Sequence, residues 1–142
     1  MRRYGGSGYP GALALAPSGE DLGYLTANEI LDLQLTAELV VLSACDTAQG
    51  AIKSDGVIGL SRSFIAAGTP SIIVTLWKVP DDSTAFLMGE FYRHLEKTGD
   101  KAIALRQAML STLITFADDP DDPALWATPN LWAAPTFIGE SM

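Results

Sequence analysis

A chain of 142 residues fits one domain and can bury a core, and 48% apolar against 18% charged residues argues against a wholly disordered polymer. The 17 acids and 9 bases leave a net charge of −8, which excludes nucleic acid as an expected partner because phosphate binding needs a clustered basic surface. One cysteine excludes an internal disulfide framework, and no apolar run approaches the ~18 residues that span a bilayer. No apolar stretch follows Arg2 and Arg3, so a secretory leader is not expected. A soluble, cytoplasmic protein without membrane contact is the resulting expectation.

Residues 1–10 are glycine-rich and are expected to be irregular, with 11–142 forming the domain. Gly11–Ala16 predicts a short strand, closed by the turn formers Pro17, Ser18 and Gly19. Thr26 followed by Glu29 is a capping box: the hydroxyl accepts the Glu29 amide while the carboxylate reaches back to the cap amide. It predicts a helix over Ala27–Leu31. Leu39–Leu42 is continuously apolar and runs into Ser43, Ala44 and Cys45, as a strand buried on both faces of a parallel sheet would. Asp46–Asp55 reads as a polar loop. Val57, Leu60, Phe64 and Ala67 recur at spacings of three and four, predicting a helix over Gly56–Ala67 that Gly68 stops.

Ser71–Leu76 is the second strong strand signal. After the junction Trp77–Pro80, a proline and two aspartates favour a long helix from Asp81 to about Glu96. Gly99 ends it, and a further helix is predicted over Lys101–Phe116. Asp118–Pro123 is an acidic loop. Within Leu131–Gly139, Ala133–Ile138 predicts a last strand in which Pro135 marks an edge or irregular position. This order is that of an open α/β sheet with right-handed crossovers.

Cys45 carries the chemistry if any residue does. Parallel strands open their crevices beyond their carboxyl ends, and a thiolate there is a nucleophile when a base, a cation or a helix N-terminus supports it. The bland alternative is a small core residue. Asp46 beside it would raise the thiol pKa, and it reads as a loop or cap residue. Trp77, Lys78, Asp81 and Asp82 follow the next strand and would flank the same crevice. Trp77 is then packing or groove wall, and the aspartates are equally well helix N-terminal charges. Asp55 reads as a cap, and Trp126 and Trp132 as core. His94 is the only histidine. At ~1.5 Å per residue along its helix it falls on the order of 20 Å from the strand ends, too far for a general base, which must come within about 3 Å. It reads instead as interfacial or partly exposed. One cysteine, one histidine and scattered acids form no metal site, and no cofactor is implied.

LVVLSACDTAQG over Leu39–Gly50, with Gly56–Leu60, Phe64–Gly68, Thr75–Val79, Phe91–Leu95, Ala104–Met109 and Trp132–Gly139, resembles the CHAT domain. CHAT domains are caspase-like cysteine peptidases of a clan CD-like type, often fused to tetratricopeptide repeats. The resemblance implies a caspase/haemoglobinase-like, mostly parallel sheet flanked by helices, makes Cys45 the nucleophile and offers Asp46 as a substrate contact. It places the partner histidine upstream of Gly11, where this sequence has none. The expectation is therefore the C-terminal half of the domain only, missing the first core strands and inactive alone. The alternative is a binding or complementing half of a split peptidase, or a structural interaction module, pairing with an N-terminal half or with itself through an exposed sheet edge. A protein or peptide substrate is implied.

Overall fold

The computed structural model describes residues 12–20, 22–42, 54–118 and 127–142. The chain divides into two compact units, Met1–Val74 and Thr75–Met142.

In the first unit, strands β1 (Ala12–Ala14) and β2 (Tyr24–Thr26) pair antiparallel, Ala12 opposite Thr26 and Ala14 opposite Tyr24. Leu15 N–H donates to the Gly23 carbonyl at 2.6 Å to close the hairpin. Thr26 ends β2 and caps helix α1 (Ala27–Leu31) as its sequence predicts. The Glu29 amide donates to Thr26 Oγ1 at 3.3 Å, and the Thr26 amide and hydroxyl each donate to Glu29 Oε2 at 2.7 Å. These bonds hold the Glu29 carboxyl below the usual carboxylate range, the backbone bond from Thr26 contributing most. Because the folded pKa is depressed, the stabilisation is present above the ordinary glutamate value and is lost as pH falls through the folded one. Thr26→Ala is expected to cost about 1 kcal/mol, measured by denaturant unfolding at neutral pH, with the gap to wild type narrowing but not closing under acid, because only the lost hydroxyl-to-carboxylate bond titrates and the Thr26 amide bond is kept. A gap independent of pH would contradict the carboxylate's part in the box.

Strand β3 (Val40–Leu42) and strand β4 (Ser71–Thr75) pair in parallel, Leu42 opposite Val74, with helix α2 (Ser54–Ala66) between them in sequence. Leu60, Phe64 and Ala67 are buried as the stripe predicts, and α1, which buries Ile30, packs against α2. Gly68 follows, its N–H returning to Ile65, while Leu35 N–H docks on the Ala67 carbonyl at 2.9 Å. The side chains of Asp55 and Val57 lie outside the described residues, although α2 begins at Ser54, one residue before Asp55.

Two expectations are corrected. Every residue of β4 is buried, but β3, apolar throughout, is only half-buried along its length, so it is not enclosed on both faces. The sheets are mixed rather than mostly parallel, which overturns the expected caspase/haemoglobinase-like parallel sheet lacking its first strands. The reason is chain length. Residues 15–23 suffice to reverse direction but are fewer than the dozen or so that a parallel crossover needs, so β2 returns antiparallel to β1.

In the second unit, helices α3 (Asp81–Thr98) and α4 (Lys101–Thr115) form an antiparallel-type hairpin across Gly99 and Asp100. Gly99 N–H returns to Leu95, and the Asp100 carboxylate accepts the Ile103 amide at 2.8 Å. Leu87 and Phe91 from α3 pack with α4, whose inner face carries Ala104, Leu105, Ala108, Thr112 and Leu113. Phe86 and Phe116 meet edge-to-face at 5.7 Å. A one-turn helix α5 (Pro129–Trp132), started by proline, leads into strand β5 (Pro135–Gly139). Pro135 is the first residue of that strand, where its missing N–H costs no ladder bond. Among the described residues no helix is long and apolar enough to cross a membrane.

Candidate functional site

The parallel register that sets Leu42 opposite Val74 sends the chain out of β3 at the carboxyl end of the ladder, towards Cys45. Cys45 and Asp46 themselves lie outside the described residues, as does Trp126.

The candidates that follow β4 are described. Leu76 N–H donates to the Ala134 carbonyl at 3.0 Å, and Val79 is buried, so the junction is pinned at both ends. Between these anchors Trp77 is 40% exposed and Lys78 is exposed, so Trp77 is not a core residue. Asp81 and Asp82 are exposed in the first turn of α3, where their charge suits the positive helix end. No side chain caps that turn; Ser83 Oγ and Thr84 Oγ1 instead donate to the Pro80 carbonyl at 3.1 and 2.8 Å.

His94 is part of a polar cluster on α3. Arg93 grips Glu90 with two bonds, Nε to Oε1 at 2.9 Å and Nη2 to Oε2. The Arg93 bond is the largest cause holding the Glu90 carboxyl below the ordinary range, with smaller help from the Arg93 charge and from Ser111. The His94 Nε2 lies 2.9 Å from Arg93 Nη2 and 3.7 Å from Glu90 Oε2. Guanidinium nitrogens only donate, so the shorter contact assigns an accepting Nε2 lone pair and a proton on Nδ1. With that lone pair engaged, the ring is tied to its own helix. The spacing of Glu90, Arg93 and His94 at three and four residues is the sequence signal for this cluster. Trp132 is half-buried, its indole N–H donating to the Ala127 carbonyl at 2.9 Å.

Comparison with known proteins gives this arrangement its family. The CHAT domain family model matches residues 9–140. The tetratricopeptide repeat protein 28 of Mus musculus is 34% identical over 118 residues, 83% of this chain and 4% of its own length. The Homo sapiens protein of the same name gives the same identity and coverage. The chain thus spans a small part of the relatives it matches. Because the family match covers nearly the whole chain, the expectation of a C-terminal half alone is overturned. That expectation rested on a histidine missing ahead of Gly11, and one residue type does not mark the boundary of a fold. From residue 9 to residue 140, the chain belongs to the CHAT domain family, a caspase-like, clan CD-like group.

Proposed function

We propose that this chain is a cysteine-peptidase-type module in which Cys45 is the nucleophile and in which turnover requires a base from outside the chain. The reading rests on the parallel pairing of β3 with β4, since such folds do chemistry at strand carboxyl ends, and on the sequence LSACDT that continues from Leu42. The engagement of His94 with Arg93 and Glu90 supports an external base. In the reaction the Cys45 thiol proton passes to that base and the thiolate forms a C–S bond to the scissile carbonyl carbon. The C–N bond then breaks, the leaving amine takes the proton, and water hydrolyses the thioester. Asp46, next to the nucleophile in sequence, is the substrate-contact residue of this reading.

The test is the rate of Cys45 alkylation by iodoacetamide against pH, native and denatured. A free thiol titrates near ~8.5, so a native rate that holds up below about pH 7 while the denatured rate collapses is the expected result. Coincident profiles would remove Cys45 from the reading. Peptide hydrolysis by the chain alone, lost in Cys45→Ala, would instead overturn the external base. A second reading, a protein-interaction module without turnover, is favoured by the identity to proteins named for tetratricopeptide repeats, since such solenoids present binding surfaces.

A further inference from the structure

Helix α4 is apolar on both sides. Its inner face is buried with α3 and it also meets α5, and the side such a helix leaves to solvent should be polar. Instead Ile103, Leu110 and Ile114 stand on the outer side, 49%, 37% and 50% exposed. With Gln107 they fall alternately three and four residues apart, the repeat of a helix–helix seam, in which one polar residue among apolar ones sets register. Beside this stripe lies a groove of about 410 Å³ walled by Met109 and Leu110 of α4 and by Trp132, Pro135 and Phe137. Trp132 is held by its bond to Ala127, so that wall is set in advance.

Charge distinguishes the possible occupants. In a chain with 17 acids and 9 bases, α4 has no acid at all. Its charged residues are Lys101, which is buried, and Arg106, which is exposed on the groove. Arg106 has no ion-pair partner among the described residues. A second copy of this chain meeting the face with its own α4 could offer Arg106 no acid. We propose that the α4 stripe and its groove bind an amphipathic helix of a different polypeptide, with a Leu or Ile seam flanked by an Asp or Glu that pairs with Arg106. The proposal is independent of Cys45.

The probe is a synthetic amphipathic helical peptide with a heptad-spaced Leu seam and flanking Glu, titrated while monomeric and read by anisotropy of a label on it. Wild type is expected to bind, and Leu110→Asp to bind at least ~10-fold more weakly, as for a residue central to an interface. Leu110 is exposed, so an unchanged circular dichroism spectrum should accompany that loss. Replacing the peptide's Glu by Lys should weaken binding by roughly 2- to 5-fold, the range of a rim ion pair, and Arg106→Glu should reverse the preference. Absent binding, equal affinity for Leu110→Asp, or a preference that Arg106→Glu does not reverse would each overturn the proposal. So would sedimentation showing a wild-type dimer that Leu110→Asp dissociates, for then the occupant is a second copy.

Discussion

Phe91→Ala should lower the unfolding free energy by about 3–5 kcal/mol, the cost of deleting a large buried ring together with the cavity that remains. Phe91 is 0% exposed on α3, and the opposing face of α4 offers Ala104 and Ala108, both also at 0%. Small residues there let the two helix backbones approach closely around the ring. They cannot expand to fill its absence, so relaxation is limited and the upper part of the range is expected. Tyr92 provides the internal comparison. Its ring meets Phe91 edge-to-face at 5.1 Å, but it is 50% exposed. Tyr92→Ala should therefore lose no more than the ~0.5–1.5 kcal/mol of an aromatic pair plus a modest surface contribution. Urea titration of both variants checks the pair of values. Equal losses would mean that Phe91 is not the ring around which the hairpin packs.

Gly23→Ala is the second large effect, and its cause is backbone geometry. Gly23 has φ +74, and a Cβ there would stand 2.4 Å from the Leu15 carbonyl oxygen and 2.9 Å from the Pro17 nitrogen. Both obstacles are main chain, so no side-chain rotation relieves them. The left-handed conformation alone costs an L-residue about 1–2 kcal/mol. Gly19→Ala isolates that contribution, because Gly19 has φ +61 and an added Cβ meets nothing within 4 Å. Gly19→Ala should thus cost about 1–2 kcal/mol and Gly23→Ala distinctly more. The difference should appear in thermal unfolding and as faster hydrogen exchange of the Leu15 amide, which donates to Gly23. If the two variants behave alike, the close approach of Leu15 to Gly23 does not hold the hairpin.

Local signals made much of the helical structure legible. The Thr26–Glu29 box placed α1 on its observed residues, and the Gly99 stop and Asp81–Asp82 start placed α3 within two residues. Short-range hydrogen bonding and helix-end charge decide such boundaries, and both are written in neighbouring residues. Strand β2 was missed because Tyr24–Thr26 is three residues long, too short for alternation to show, and its last residue doubles as the cap of α1. Helix α5 was missed for the same brevity, one turn ahead of a proline-led strand. The direction of pairing depends on which strands meet, and a period-two pattern carries no information on that; the parallel-sheet expectation failed there. At the candidate site the motif singled out Cys45, while the exposure of Trp77 could not be read from an aromatic that follows an apolar run.

The α3–α4 connection also has a kinetic meaning. Gly99 and Asp100 cap the two helices with bonds no longer than four residues in sequence, so closing this hairpin fixes little chain. Lys101 N–H, by contrast, donates to the Ser141 carbonyl at 2.7 Å, and that bond closes a loop running through α4, α5 and β5. Contacts of low sequence separation form at lower entropic cost than distant ones. The second unit thus holds a helical hairpin able to form first and a distant Lys101–Ser141 closure made later, and fraying should begin at the chain end which that closure holds.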